Sequence, residues 1–348
     1  MYYPYWRFAM ETIRIGIICP SEIAFRRFLP SLQKVEGFEY VGVAVASEAE
    51  WNGTLSEEMK QNELAKAQNF VDTYGGTIFE SYHALLTSKD VDAIYLPLPP
   101  ALHYQWAKVA IANNKHVFVE KPSTTSYQTS KELIDLASAK GLAFHENYMF
   151  QYHSQIDDII ERLQQGVIGR VHSYHARFGF PMRAQNDFRY NKALGGGALL
   201  DAGGYVIKLA TRLLGDSIRL RSASLKTYSE DGVDMYGSYM FTNDKKETFF
   251  GEFGMDNEYQ CSLNVWGSEG ILSTDRIFTA PDELKPVLKY RKKGQETNEE
   301  VACDSHFVKS IQMFYQAVHH EDIRNQIYQQ IAKQAQLVDD VKASAKED

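Results

Sequence analysis

The feature that most constrains the fold is a change, near the middle of the chain, in how predicted strands and helices follow one another. From Thr12 to about residue 147, short β-branched runs alternate with longer segments of helical period, which is typical of a parallel sheet with crossover helices. From Val171 to Trp266, predicted strands follow one another with few helices between them, which indicates a largely antiparallel sheet. We therefore predict an α/β protein with an N-terminal Rossmann-type, doubly wound parallel sheet and a C-terminal α/β domain with a large, mostly antiparallel open sheet.

The chain has 348 residues, and a single hydrophobic core stops growing near about 250–300 residues, so we expect two domains. We place their boundary near residues 147–152, with a dinucleotide-binding domain over residues 10–150 and a substrate-binding and oligomerisation domain over residues 151–348. Two predicted terminal helices are able to pack back on the first domain. The predicted strands of the first domain are 13–18, 40–46, 77–79, 93–96, 116–119 and 142–145, its helices include 23–35, 55–74, 102–113 and 126–140, and the terminal helices are 307–319 and 324–345.

Composition excludes several classes of protein. The formal net charge is -8, and no basic block offsets it, so a nucleic-acid partner is not expected. The three cysteines, Cys19, Cys261 and Cys303, are far apart, which argues against a disulfide framework and a thiolate zinc site and favours a reducing cytoplasm. No apolar run approaches the about 20 residues that cross a bilayer, and we expect no membrane partner. The first nine residues are aromatic, and we weigh equally a true start at Met10 and an arm that packs on a neighbouring subunit.

The end of the first predicted strand lies where a dinucleotide-binding fold has its glycine-rich turn. The literal GxGxxG is absent, and its three positions are Cys19, Ser21 and Ala24. These small residues permit close backbone approach but lack the freedom of glycine at positive φ. A strand-to-helix turn that binds nothing remains an equal alternative on this segment alone. The residues that we predict to contact the cofactor here are Ile18, Cys19, Pro20, Ser21, Glu22 and Ile23.

The residues after the second predicted strand bear on the choice of cofactor. Ser47 and Glu48 stand where an acid would hydrogen-bond the adenosine ribose of NAD and an arginine would favour the 2′-phosphate of NADP. Ser47 is able to donate to either group, and the acids here are also compatible with a solvated loop. We therefore predict NAD or NADP, and Glu48 favours NAD.

Two motifs are able to carry acid–base chemistry. Lys121 directly follows a buried strand, in Glu120-Lys121-Pro122, at the sheet edge where open α/β proteins bind ligands. Asp201 and Tyr205 follow three glycines and share one face of a predicted helix at i and i+4. The alternatives are a surface lysine that ends a strand and a helix start with structural glycines and a half-buried tyrosine.

A metal site is not expected. His172 and His175 are three residues apart on a predicted strand, which directs their side chains to opposite faces. No HExxH or Walker motif is present.

These motifs together resemble the Gfo/Idh/MocA family, the relatives of glucose-fructose oxidoreductase and inositol dehydrogenase. The resemblance spans nearly the whole chain. It is specific in Glu120-Lys121-Pro122, in the run 146–153 (ENYMFQYH) and in the run 195–205 (GGGALLDAGGY). The family's fold, a Rossmann domain followed by an α/β domain with a large open sheet, agrees with the pattern above.

The resemblance implies hydride transfer between a nicotinamide and a sugar or cyclitol carbon. Lys121 then corresponds to the active-site lysine, Tyr205 to the acid/base, and Asp201 to an aspartate that orients substrate hydroxyls. It implies that further residues line the substrate pocket, namely Tyr148, Tyr152 and His153, and that others lie near the cofactor, namely Pro97, Leu98, His103, Glu120, Lys121 and Arg189.

We therefore expect an NAD(P)-dependent oxidoreductase that acts on a sugar, in particular a nucleotide-activated or keto sugar, because tyrosine stands where many members have histidine. A cyclitol is the alternative substrate. A non-catalytic NAD(P)-binding regulator or scaffold of the same fold is the alternative function, which the altered cofactor turn favours and the set Lys121, Asp201 and Tyr205 opposes. The resemblance also implies a homodimer or homotetramer.

Overall fold

A computed structural model of the protein describes residues 11–51, 55–229 and 232–345. The predictions about a start at Met10 or an aromatic N-terminal arm lie outside these residues.

The first sheet has six parallel strands in the order β3-β2-β1-β4-β5-β6. This is the doubly wound order of a dinucleotide-binding fold, whose switch point lies between β1 and β4. Every residue of β4 is buried, as is every residue of β5 except the first, as expected for strands covered by helices on both faces. The six strands are β1 (Ile13–Ile18), β2 (Phe38–Ala44), β3 (Thr77–Phe79), β4 (Ala93–Leu96), β5 (His116–Glu120) and β6 (Phe144–Asn147).

Five helices flank this sheet, and serine caps begin three of them. The side chains of Ser56, Ser81 and Ser126 each accept a hydrogen bond from the backbone amide three residues later, which satisfies a donor that has no intrahelical acceptor. A π-helical turn, Ala24–Phe28, runs directly into the first helix. The helices are α1 (Leu29–Leu32), α2 (Glu57–Tyr74), α3 (Tyr82–Thr87), α4 (Pro100–Ala112) and α5 (Tyr127–Ala139).

The second sheet has eight strands in the order β14-β13-β12-β11-β7-β10-β9-β8. All neighbouring pairs are antiparallel except β7 with β10. The predicted fold class is thus confirmed for both parts of the chain. The strands are β7 (Val171–Gly179), β8 (Arg219–Thr227), β9 (Asp234–Thr242), β10 (Thr248–Gly254), β11 (Gln260–Gly267), β12 (Ile271–Asp275), β13 (Val287–Lys292) and β14 (Gln295–Glu300).

Four more helices complete the fold, α6 (Ser154–Gln164), α7 (Gly204–Leu214), α8 (His306–His319) and α9 (Glu321–Ser344). Buried side chains form two cores, one around each sheet. Helix α8 packs Ile311 and Phe314 into the first core, and α9 contributes Ile331 to the first core and Leu337 to the second. The terminal helices therefore fasten the two sheets together. None of the described helices is long and apolar enough to cross a membrane.

Several details differ from the sequence prediction. The second strand is Phe38–Ala44 rather than 40–46, and β12 was not predicted. The helix predicted at 23–35 ends at Leu32 and begins as a π-helical turn. The sixth strand is Phe144–Asn147 rather than 142–145, which moves two polar residues into a buried strand. The hairpin of β13 and β14 was not predicted, because β14 is exposed along its whole length and has no apolar face. Its turn, Lys293-Gly294, has positive φ at both residues, as a two-residue hairpin of this type requires.

Candidate active site

Lys121 directly follows β5, and its neighbour Glu120 is anchored in the first core. One carboxylate oxygen of Glu120 accepts hydrogen bonds from the hydroxyl of Tyr95 at 2.6 Å and from the amide of Asn147 at 2.7 Å. Burial raises the pKa of Glu120. These bonds come from the neighbouring strands β4 and β6, so they fix the carboxyl end of β5 from which Lys121 extends.

The ammonium group of Lys121 is held by the second domain. Its Nζ donates to Oδ1 of Asp201 at 2.6 Å and to the backbone oxygen of Asp201 at 3.0 Å. The other carboxylate oxygen of Asp201 accepts from Nε of Arg189 at 2.6 Å. Arg189 also pairs with Asp187 at 3.1 Å. One carboxylate therefore bridges a cation from each domain.

The two cations determine the protonation of Asp201. Burial by itself would raise the pKa of this carboxyl, but Lys121 and Arg189 outweigh it and hold the pKa of Asp201 well below its ordinary value. Asp201 is consequently a carboxylate at every physiological pH, and it is not a proton donor.

Tyr205 lies against the same lysine. The Nζ of Lys121 is 4.9 Å from the centre of the Tyr205 ring, over its face, a cation–π contact. The hydroxyl of Tyr205 donates to the thioether of Met149 at 3.7 Å, which is a weak acceptor. Burial raises the pKa of Tyr205 well above its ordinary value, so the phenol is neutral and keeps its proton. The structure thus brings together the three residues predicted to be catalytic.

The backbone around Asp201 explains how this approach is possible. Residues Leu199–Gly203 form a π-helical turn that continues into α7, and such turns are frequent at functional sites. A Cβ at Gly204 would lie 2.1 Å from the hydroxyl of Tyr148, so the glycine lets α7 pack directly on that tyrosine. The close packing compensates for the about 1 kcal/mol that a glycine costs inside a helix relative to alanine.

Aromatic rings surround Tyr205 on its other sides. They belong to Tyr148, Phe150, Phe178 and Phe278, with ring centres 5.2–6.1 Å away. Phe178 lies on β7, and Phe278 lies beyond β12. Sequence patterns did not single out these two phenylalanines, since only the fold brings β7 and the segment after β12 next to Tyr205.

The turn after β1 has the conformation that a dinucleotide-binding turn requires. Cys19 has a φ of 76°, the left-handed region that glycine favours, so the cysteine adopts the shape of the glycine it replaces. Ser21 follows and accepts from the amide of Ala24 at 3.2 Å. The first amides of the helical segment after Ser21 have no intrahelical acceptor, which suits a pyrophosphate. These residues therefore fit a dinucleotide. Burial raises the pKa of the Cys19 thiol to about 12, so this cysteine is not a thiolate.

A cavity of about 690 Å³ lies beyond the end of β2 and includes Ser47, Glu50 and His83 in its lining. The carboxylate of Glu50 accepts from the amides of Ser47 at 2.9 Å, Tyr82 at 3.0 Å and His83 at 2.8 Å. Burial opposes ionisation, but these amides lower the pKa of Glu50. The acid held at the cavity is therefore Glu50, whereas Glu48, the acid predicted to favour NAD, is exposed.

His103, predicted to lie near the cofactor, has a structural position. Its Nδ1 is 2.8 Å from the backbone oxygen of Pro122, and its Nε2 is 2.6 Å from that of Leu98. The side chain is fully buried, and burial lowers the pKa of His103 to about 4. A neutral ring donates to one of these carbonyls, and the residue joins the segments that follow β4 and β5. Pro97 and Leu98 lie at the end of β4, as predicted.

One of the three predicted pocket residues contacts a candidate catalytic residue within the described chain. Tyr148 contacts Tyr205 edge to face at 5.2 Å. Tyr152 stacks on His145, 5.9 Å away, and His153 accepts from the amide of Gln155 at the start of α6 and contacts His306. Tyr152 and His153 thus pack between the domains and have no contact with Lys121 in the described part of the chain. Adjacent positions in this short 3₁₀ turn point in different directions, and the sequence alone does not show which ones face the site.

Among the described residues, there is no group of three or more histidine, cysteine, aspartate or glutamate side chains arranged to hold a metal ion. His175 stacks on Phe250, 4.7 Å away.

Comparison with known families agrees with the fold of both parts of the chain. Residues 21–148 match the model described as an oxidoreductase family with an NAD-binding Rossmann fold, and residues 156–273 match the C-terminal domain model of the same family.

Relatives with known activities extend over most of the chain. A dTDP-3,4-didehydro-2,6-dideoxy-alpha-D-glucose 3-reductase from Actinomadura kijaniata is 34% identical over 335 residues, which is 96% of each chain. An enzyme of the same name from Streptomyces violaceoruber is 38% identical and covers 80% of this chain and 78% of its own. The solved structure of KijD10, a 3-ketoreductase from A. kijaniata in complex with NADP and TDP-benzene, is similar with a TM-score of 0.88 and 34% identity, over 96% of this chain and 98% of that one.

Together, the two family models and the relatives cover both sheets. They also cover the Lys121 cluster, by which we mean Lys121, Asp201 and Tyr205. The chain belongs to the Gfo/Idh/MocA family of NAD(P)-dependent oxidoreductases.

Proposed function

We propose that the protein reduces the keto group of a nucleotide-activated sugar with NAD(P)H, with Lys121, Asp201 and Tyr205 as its catalytic residues. The observation that carries this proposal is the position of the Lys121 ammonium, which Asp201 holds at 2.6 Å, over the ring of Tyr205. This group lies at the carboxyl end of β5, the edge at which a doubly wound sheet binds its ligand. A non-catalytic binder would have no use for such a set.

A bound nicotinamide supplies the hydride. The raised pKa of Tyr205 favours the neutral phenol, and a neutral phenol is suited to protonate the alkoxide that forms when a ketone is reduced. Among the described residues, its hydroxyl has only the thioether of Met149 as an acceptor, at 3.7 Å, which leaves it available to a substrate oxygen. Lys121 stabilises the developing negative charge on that oxygen. Asp201 orients Lys121 and supplies an acceptor for substrate hydroxyls.

The names of the relatives support the substrate class. Four of them are 3-reductases of a dTDP-linked dideoxy sugar, with 30–38% identity, and KijD10 was solved with TDP-benzene. We accordingly propose a dTDP-linked keto-deoxy sugar as the first substrate to examine. Within this function, residues 10–150 bind the cofactor and residues 151–348 bind the substrate.

The preference between NAD and NADP depends on the cavity beyond β2. Its lining contains the carboxylates of Glu50 and Glu80 and no lysine or arginine among the described residues, which favours the ribose hydroxyl of NAD over the 2′-phosphate of NADP. NADP is the cofactor in the KijD10 structure. Titration of protein fluorescence with NADH and with NADPH compares the two dissociation constants directly.

We also propose a homodimer or homotetramer formed through the uncovered face of the second sheet. This face presents Trp266 and Tyr236, which are 58% and 42% exposed, and exposed aromatic residues of this size are typical of an interface. Light scattering measures the assembly, and Trp266→Asp should shift it toward the monomer. A monomeric wild-type protein would contradict the proposal. The three cysteines are free in the described chain, and we propose a cytoplasmic location.

The central experiment is NAD(P)H oxidation with a panel of nucleotide-linked keto sugars, free keto sugars and cyclitols. The proposal expects turnover with a nucleotide-linked keto sugar. Lys121→Ala should lower kcat more than about 10²-fold while cofactor affinity changes little, and Tyr205→Phe should lower kcat about 10²-fold. Cofactor binding without turnover on the whole panel would instead favour a regulator.

A further inference from the structure

We propose that an arginine rim, formed by Phe180, Arg183, Tyr259 and Arg276, binds the nucleotide diphosphate of the substrate. The inference rests on the proposed function and deepens it, because it assigns a binding site to the part of the ligand that does not react.

The rim continues the sheet face that carries the catalytic tyrosine. Phe178 contacts the ring of Tyr205 at 5.2 Å and the ring of Phe180 at 6.1 Å. Phe180 follows Phe178 by two residues, so both side chains point to the same side of the sheet, about 7 Å apart along it. The backbone of Phe180 is fixed by hydrogen bonds with Gly254 and Asn257, each 3.2 Å long. A path of aromatic rings therefore leads from the Lys121 cluster outward to solvent.

Tyr259 lies beside Phe180 on that face. Gln260 of β11 pairs with Gly179 of β7, and Tyr259 and Phe180 are the adjoining residues on the two chains. The hydroxyl of Thr279 contacts both Tyr259, at 2.9 Å, and Cys261, at 3.4 Å. Because Cys261 pairs with Phe178, Tyr259 shares the side of the sheet on which Tyr205 lies.

Each of these two rings has a guanidinium group over it. Arg183 lies 5.0 Å from the centre of the Phe180 ring, and Arg276 lies 4.8 Å from that of Tyr259. The Nη1 of Arg276 also donates to the hydroxyl of Tyr259 at 2.8 Å. Arg276 has a φ of 58°, a conformation that is unfavourable for a side chain of this size and is found preferentially at functional sites.

The charge on the rim is not neutralised by the protein. Within the described chain, neither Arg183 nor Arg276 takes part in an ion pair, whereas Arg189 pairs with both Asp187 and Asp201. Both side chains are exposed. Two unpaired guanidinium groups on neighbouring rings suit an anion of two or more charges, since guanidinium and phosphate groups match in bidentate geometry.

The rim offers a partner for each part of a nucleotide sugar beyond the reacting carbon. The sugar would react at Lys121 and Tyr205, the diphosphate would lie on Arg183 and Arg276, and the base would stack on the face of the Tyr259 ring that is turned away from Arg276. Stacking of a base on an aromatic ring adds affinity with little demand on sequence or base identity. A free sugar would leave the whole rim unused.

The test measures dTDP binding by isothermal titration calorimetry to the full-length wild type and to Arg183→Ala, Arg276→Ala and the double variant. Loss of a charge-assisted hydrogen bond should raise the Kd roughly tenfold for each arginine and about 100-fold for both. The control is Arg170→Ala. Arg170 is exposed and directly precedes the first residue of β7, at the end of the strand away from Phe180, so its replacement should change the Kd less than twofold. With a nucleotide-linked keto sugar, the double variant should raise KM and leave kcat nearly unchanged.

Two results would overturn the rim: an unchanged dTDP affinity in the folded double variant, or a loss of NADPH affinity as large as the loss of dTDP affinity. Failure of the proposed function gives a different result. If the wild-type protein reduces no keto sugar but the arginine variants bind dTDP more weakly than it does, the rim proposal stands and the proposed reductase activity is refuted. If the wild-type protein reduces a keto sugar and the arginine variants bind dTDP as tightly as it does, only the rim proposal is refuted.

Discussion

Replacing Asp201 by asparagine tests the bridge between the two domains. The side chains of Lys121, Asp201 and Arg189 are only 13%, 12% and 20% exposed, so the change leaves two cations poorly solvated. Removing one partner of a buried ion pair typically costs about 3–5 kcal/mol. Asparagine keeps one oxygen acceptor but has no charge. We therefore expect Asp201→Asn to lower the free energy of unfolding by about 3 kcal/mol, the lower end of that range.

A loss of this size should lower the thermal midpoint by roughly 4 °C, because an unfolding entropy of about 2.1 cal/mol/K per residue gives about 0.7 kcal/mol/K for 348 residues. Circular dichroism or differential scanning fluorimetry measures this shift. The matched control is Asp157→Asn, which breaks an Asp–Arg pair of 2.8 Å whose carboxylate is 75% exposed. Pairs exposed to that degree contribute about 0–1 kcal/mol. Equal midpoints for the two variants would refute the reasoning that burial makes the Asp201 bridge strong.

The difference in thermal midpoint between the wild type and Asp201→Asn should depend on pH in a way that follows from the pKa of Asp201. Because the folded-state pKa is well below the ordinary one, the stabilisation is fully present above the unfolded pKa of about 3.9 and is lost as the pH falls through the folded value. The difference in midpoint between wild type and Asp201→Asn should therefore be constant from about pH 5 to pH 8. A difference in midpoint that becomes smaller as the pH falls from 8 to 5 would contradict the assignment of Asp201 as a carboxylate in this range.

Further predictions concern the backbone around the two binding regions. Gly204→Ala should lower the thermal midpoint, although alanine favours a helix by about 1 kcal/mol, because its Cβ would meet the Tyr148 hydroxyl at 2.1 Å; a higher midpoint would refute the close packing. Cys19→Gly should raise the midpoint, since it removes a left-handed conformation that costs roughly 1 kcal/mol, and NAD(P)H titration should give an affinity at least equal to that of the wild type. The Cys19 thiol of the wild type has a pKa of about 12, so it should react slowly with iodoacetamide at pH 8. Mass spectrometry measures the alkylation, and the exposed Cys303 serves as the comparison.

The sequence was sufficient for the fold class and for selecting the three residues that we propose as catalytic. Strand and helix periods are local, so the alternation up to residue 147 and the run of strands after it predict one parallel and one mostly antiparallel sheet. Lys121 was identifiable because it ends a buried strand, and Asp201 and Tyr205 because they follow glycines at helical spacing. The hairpin of β13 and β14 escaped this reasoning, since an exposed strand has no alternation that burial would impose.

Only the tertiary structure decided which side chains meet. Lys121 and Asp201 are 80 residues apart in sequence, and no local pattern shows that one carboxylate joins Lys121 to Arg189. The same holds for Glu50, whose carboxylate accepts from three backbone amides, and for His103, whose ring lies between two backbone carbonyls. It also holds for Phe180 and Tyr259, which the pairing of β7 with β11 places next to each other. Periodicity records which residues are buried, whereas contacts between distant segments depend on how whole sheets and helices pack.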